Sequence, residues 1–137
     1  MDYSIGQSAR FSRTFTETDF ILFAGLSGDY NPIHIDKEYA ANTFFKERIS
    51  HGLLTASMLS RLFGMHLPGP GSIYVSQTLV FTKPVYIGDT ITASAEIVHI
   101  DDQQRLWTLK TTCTNQHNDI VLDGEGVMKL PEKESKR

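Results

Sequence analysis

The sequence predicts an α+β protein in which a curved antiparallel β-sheet wraps around one long central helix. The segment from His51 to Leu67 is apolar around most of a helical circumference, and four stretches after residue 72 alternate with period two. Between those stretches, Pro84, Gly88-Asp89, Asp101-Asp102 and Asn118-Asp119 supply turn chemistry.

The first element is a short strand near Ser8–Phe15. Thr16 follows as a helix N-cap, with Asp19 three residues later echoing a capping box. The helix carries Phe20, Ile21, Phe23, Ala24 and Leu26 and ends at Ser27-Gly28, where glycine suits the left-handed turn that stops a helix. Asp29 to Asp36 reads as an irregular, ordered loop, because Pro32 drives Asn31 out of the helical region. Asp36 then caps a short helix over Lys37 to Asn42.

In the main helix, Leu53, Leu54, Ala56, Met58, Leu59, Leu62, Phe63, Met65 and Leu67 point in nearly every direction. A helix apolar all round is a buried one, and this one would be about 25 Å long at 1.5 Å per residue. Pro68-Gly69-Pro70-Gly71 stops it. Four alternating runs follow: Ile73 to Phe81, Ile91 to Val98, Trp107 to Cys113, and Ile120 to Lys129. Consecutive strands with short connectors pair antiparallel, and the helix needs that sheet to bury it. Gly124 and Gly126 share one strand face, which suits the close approach of a helix or a bulge.

Composition sets the bounds. A 40% hydrophobic and 21% charged chain of 137 residues fits one domain, 1–137, with a charged, solvated tail at 131–137. A net charge of −3 with no basic stripe argues against nucleic acid as a partner. The single cysteine, Cys113, excludes an internal disulfide and fits a reducing, cytoplasmic setting as a small buried thiol. No apolar run is long enough to span a membrane, and the start shows no secretory pattern.

Candidate chemistry concentrates in Asp29-Tyr30-Asn31-Pro32-Ile33-His34. On a helix, Asp29 and His34 would diverge by about 140°; on a strand they would face opposite sides. Only a bent loop lets them converge, and Asn31-Pro32 supplies the bend. A carboxylate and an imidazole aimed at one point can hold a water, one removing a proton while the other donates one. Spacing alone equally admits a plain turn aspartate and a hydrogen-bonded loop histidine. Ser50-His51-Gly52 lies just before the main helix, whose start offers free N–H groups and a positive dipole end. At Gly52 a ligand carbonyl can come close, although glycine is also ordinary at a helix start; His51 reads as a structural or supporting histidine. Asp36 reads as a cap. Asp29, His34 and Asp36 lack the second spaced histidine of a metal site, and no Gly-x-Gly-x-x-Gly appears, so neither metal nor cofactor is expected.

The run Gly28-Asp29-Tyr30-Asn31-Pro32-Ile33-His34-Ile35-Asp36 resembles the signature of the MaoC-like (R)-specific enoyl-CoA hydratases, or hydratase 2. Ile49-Ser50-His51-Gly52-Leu53-Leu54, Pro68-Gly69-Pro70-Gly71-Ser72-Ile73-Tyr74 and Phe81-Thr82-Lys83-Pro84-Val85-Tyr86-Ile87-Gly88-Asp89 resemble further stretches of that family, in order along the chain. The length resembles short bacterial members that supply polyhydroxyalkanoate precursors. The resemblance implies a hotdog fold and a homodimer joined sheet edge to sheet edge. It implies reversible hydration of a 2-enoyl thioester carried on coenzyme A or on acyl carrier protein. Asp29 and His34 fall on its catalytic pair, Asn31 on a position shaping the site, and Gly52 on the backbone donor to the thioester carbonyl. Ser60 falls where the family has a serine near the catalytic Asp. Phe63 falls where short-chain members carry a smaller aliphatic residue, which implies an acyl pocket no longer than theirs. Thioester hydrolysis and acyl-CoA binding without catalysis are the rival readings.

Overall fold

The computed structural model describes residues 3–132; residues 133–137 of the expected tail lie outside that range. Six strands form one antiparallel sheet: β1 (Ser8–Thr14), β2 (Ile73–Gln77), β3 (Val80–Phe81), β4 (Thr90–Asp101), β5 (Leu106–Thr114) and β6 (Ile120–Lys129). Their order is β1-β4-β5-β6-β2, with β3 also beside β6. The predicted pairing of consecutive strands therefore holds for β4, β5 and β6. It fails between β3 and β4, where the chain crosses from the β6 side to lie against β1.

In β4 and β5 the alternation is realised directly. Ile91, Ala93, Ala95 and Ile97, with Trp107, Leu109, Thr111 and Cys113, are buried. The register sets Ala93 opposite Cys113 and Ile97 opposite Leu109, so the buried side chains form one layer. Burial pushes the Cys113 thiol up to about 12, which makes it an inert core residue.

The long helix is α4 (Gly52–Arg61), continued by a π-helical turn at Leu62–His66. Its buried residues Thr55, Met58, Leu59, Leu62 and Phe63 repeat at three- and four-residue steps, a single stripe turned to the core. Burial all round is thus corrected: Leu53 is 60% and Met65 65% exposed. Two glycines let other groups approach the sheet. A Cβ on Gly126 would lie 2.7 Å from the Phe63 ring, and one on Gly124 would lie 1.9 Å from the Thr78 carbonyl oxygen. That second contact sits in the break dividing the expected 73–81 strand into β2 and β3. β2 is hydrogen-bonded to β6 on one side only, and most of its residues are exposed.

The remaining helices place the chemical residues. α1 (Glu17–Ser27) has the full Thr16–Asp19 capping box and ends at Gly28, whose φ of 79° is left-handed. The expected loop after it contains one helical turn, α2 (Pro32–Ile35). Asn31 caps it by accepting the Ile33 N–H at 3.2 Å, and Pro32 suits the first helical position, where an N–H has no partner to lose. Asp36 ends α2 and caps α3 (Lys37–Ala41), accepting the Tyr39 N–H at 3.1 Å. Among the described residues, no helix is long and apolar enough to cross a membrane.

Candidate active site

Asp29 follows the left-handed Gly28, so its carboxyl group leaves the end of α1 on a tight turn. Ser27 Oγ accepts the Asp29 N–H at 3.1 Å, and Asp29 Oδ1 accepts the Asn31 N–H at 3.1 Å. The carboxylate thus caps the turn that delivers α2 while remaining exposed.

His34 lies on α2, half-buried. Its Nδ1 is 2.7 Å from the Ile49 carbonyl oxygen. A carbonyl only accepts, so Nδ1 carries the hydrogen, and in the neutral ring Nε2 is the basic nitrogen. Burial lowers the pKa of His34 below its ordinary value, and the neighbouring His51 adds to this; the Ile49 hydrogen bond and Asp29 work the other way. The Ile49 N–H returns a bond to the Ile33 carbonyl at 3.2 Å, and the Ser50 N–H bonds the Val85 carbonyl at 2.7 Å. The strand-like stretch before α4 is therefore fixed to both α2 and the segment after β3.

That stretch delivers His51, only 2% exposed. His51 Nε2 lies 2.9 Å from the backbone oxygen of Asp29, and its ring stacks on His34 with centroids 3.9 Å apart at 29°. Phe23 packs against the same ring at 4.9 Å. His51 Nδ1 and Thr55 Oγ1, one helical turn apart, are buried without a hydrogen-bond partner among the described residues.

Asp29, His34, Ser50, His51 and Gly52 line a cavity of about 570 Å³ whose other walls include Phe23, Phe45, Phe81, Pro84, Val85 and Val121. This size suits a small organic ligand, and a few polar groups in an apolar wall are the usual means of orienting one. The loop bend thus brings Asp29 and His34 together beside Gly52. Asn31 is exposed and acts as the α2 cap rather than as a wall. Ser60 is exposed on α4, about 12 Å along the helix from Gly52 at 1.5 Å per residue, and does not line the cavity. Phe63 does not line it either; its ring is fully buried, edge-on to Tyr74 and against Gly126.

Ligand-type atoms of Asp29, His34 and His51 lie within 4.8 Å of one another. His51, not Asp36, is therefore the third member of the cluster. The arrangement suits a metal poorly. Stacked imidazoles send their in-plane lone pairs side by side, whereas a metal ion needs them to converge at about 2.0–2.1 Å.

The sequence reading left out the aromatic walls Phe23, Phe45 and Phe81, and Thr55. A signal for Thr55 was available: it stands one turn after His51, a polar residue on an apolar helix.

The model of the MaoC like domain matches residues 2–119. An (R)-specific enoyl-CoA hydratase of Rhodospirillum rubrum is 45% identical over 130 residues, covering 95% of this chain and 90% of the relative. A mitochondrial 3-hydroxyacyl-[acyl-carrier-protein] dehydratase of Arabidopsis thaliana is 38% identical, over 93% of this chain and 77% of its own length. The solved structure of an (R)-hydratase from A. caviae involved in PHA biosynthesis superposes with a TM-score of 0.92 at 43% identity, covering 94% of this chain and 98% of that one. Such agreement extends along nearly the whole chain, through the Asp29–His34 loop and the α4 entrance alike: the chain belongs to the MaoC-like domain family, with its hotdog fold.

Proposed function

We propose that this protein is an enzyme that reversibly hydrates trans-2-enoyl-CoA to (R)-3-hydroxyacyl-CoA. The observation that carries the reading is the shared cavity: an exposed carboxylate and an imidazole with its basic nitrogen uncommitted, beside the start of α4.

A water held between Asp29 and His34 loses a proton to the pair as its oxygen bonds C3 of the enoyl group. The π electrons move towards C2 and the thioester carbonyl. Gly52 opens α4, where the first N–H groups have no acceptor within the helix, so it is placed to donate to the carbonyl oxygen as negative charge gathers there. The pair then returns one proton to C2. One O–H bond and the C2=C3 π bond break, one C–O and one C–H bond form, and Asp29 and His34 end as they began. Dehydration retraces the same steps. Coenzyme A is the carrier favoured by the 45% identity to the R. rubrum hydratase, against 38% to the acyl-carrier-protein enzyme.

The active unit is a homodimer. Among the described residues the outer edge of β2 is unpaired, and Ile73 and Val75 on it are 62% and 54% exposed. An exposed apolar strand edge calls for a cover. Two such edges, paired antiparallel, would continue the sheet from one protomer into the next. The buried, inert Cys113 suits a reducing cytoplasm.

The test is hydration of crotonyl-CoA, followed by loss of enoyl absorbance and by the chirality of the product, with the matched carrier-protein thioester in parallel. An (R)-3-hydroxy product supports the reading. Release of free thiol without a hydroxyacyl product would assign hydrolysis instead, and binding without turnover would leave an acyl-CoA carrier.

A further inference from the structure

His51 touches both halves of the acid–base pair and immediately precedes the residue at the carbonyl end of the cavity. Its Nε2 lies 2.9 Å from the Asp29 carbonyl oxygen, which can only accept, so the hydrogen of this ring sits on Nε2. Its ring face covers His34 at 3.9 Å, with Phe23 against the same ring at 4.9 Å. At 2% exposure it has little room to turn. Otherwise Ser27 Oγ holds the Asp29 N–H, and the Asn31 N–H bonds the Asp29 carboxylate; both residues are exposed.

We infer that His51 is a positioning residue for the hydration: it ties the Asp29 main chain and the His34 ring to the start of α4, setting both catalytic groups at a fixed place relative to the Gly52 N–H. The inference rests on the hydratase reading and extends it. A helix start, a loop after α1 and a ring on α2 come from three separate elements; the Ile49 bonds tie α2 to the stretch before α4, but among the described residues His51 alone bonds the Asp29 carbonyl to it. The His51–Asp29 bond joins the first to the second, and the His51–His34 stack joins the first to the third. A displacement of about 1 Å between reacting groups is enough to cost up to 10²-fold in rate.

The test uses two variants and one measurement on the native protein. His51→Phe keeps a ring over His34 and removes the donor; His51→Gln keeps an amide N–H at the reach of Nε2 and removes the ring. The expected result is a kcat loss of about 10- to 100-fold in His51→Phe with KM changed by less than about threefold, and partial recovery of kcat in His51→Gln. The groups facing His34 are Asp29 and His51. Removing His51 therefore also moves the acid limb of kcat/KM to higher pH in both variants. A residue serving only to fill the core would lower the melting temperature and leave kcat of the folded variants close to that of the unaltered protein. In the native protein, imidazole ¹⁵N shifts should show His51 protonated at Nε2 and His34 at Nδ1. A His51 carrying its hydrogen on Nδ1 overturns the inference even where a variant does not fold. Full kcat in folded His51→Phe, with Asp29→Asn and His34→Ala inactive, overturns it while the hydratase reading stands. Near-full activity of Asp29→Asn and His34→Ala removes the reading itself.

Discussion

The Nδ1 of His34 lies 2.7 Å from the Ile49 carbonyl oxygen, and this contact decides which nitrogen of the ring is available for chemistry. A ring free to choose its tautomer would present a base only part of the time. Here the hydrogen is assigned to the nitrogen turned to the backbone, and Nε2 is left as the proton acceptor.

That assignment sets a pH dependence. His34 has to be neutral to accept a proton, and burial lowers its pKa below the ordinary 6.5. The acid limb of kcat/KM should therefore fall at a midpoint below 6.5. The same shift acts on stability: the unfolded chain takes up this proton before the folded one does, so the contribution is whole above pH 6.5 and is lost as pH falls through the lower, folded value. A pH–rate profile with its acid midpoint above 7 would contradict the assignment.

Replacing either working group should stop turnover without unfolding the protein. Asp29 is exposed and His34 half-buried, so neither anchors the core. Asp29→Asn keeps an oxygen acceptor for the Asn31 N–H, and His34→Ala removes only one side-chain bond. Hydration rates should drop by about 10²-fold or more in each, the usual scale for a positioned acid or base, while circular dichroism stays native. Rates near that of the unaltered protein would remove both residues from the mechanism.

Much of the fold was legible because its signals are local. The Thr16–Asp19 capping box, the glycine stop at Gly28 and the strict alternation of Ile91 to Ile97 are each complete within a few residues. The features that escaped depend on distant partners. The break between β2 and β3 goes with a contact from Thr78 to Gly124, and the role of His51 depends on the Asp29 main-chain oxygen. A hydrogen bond from a side chain to a carbonyl far away in sequence leaves no pattern of residue types. The exposed face of Leu53 and Met65 escaped for another reason: hydropathy marks a surface for burial without saying which partner covers it.

The open edge of β2 bears on assembly. Val75 sits on β2, whose outer edge has no partner strand among the described residues, and is 54% exposed. A lysine there would set two charges close together wherever two β2 edges pair, and charged edge residues are a general means of preventing such pairing. If two β2 edges pair as proposed, Val75→Lys should yield a monomer in light scattering or sedimentation where the unaltered protein is a dimer. An unaltered protein that is already monomeric, or a variant of unchanged mass, would refute the edge-to-edge assembly.

Two glycine substitutions should separate stability from catalysis, because each added methyl group meets an aromatic ring of different freedom. At Gly126 the new Cβ would lie 2.7 Å from Phe63, a ring with no exposed surface and no space to retreat into. Gly126→Ala should cost about 1–3 kcal/mol of stability through overpacking, seen as a lower melting temperature. At Gly52 the new Cβ would also lie 2.7 Å from a ring, but that ring is Phe81, which is 50% exposed and can swing outward. Phe81 is a wall of the cavity, so its movement reshapes the place of the acyl thioester beside the α4 N–H groups. Gly52→Ala should therefore keep a melting temperature close to that of the unaltered protein and lose about tenfold or more in kcat/KM. If Gly52→Ala proves fully active, neither the Phe81 wall nor close approach to the Gly52 backbone is needed for the reaction.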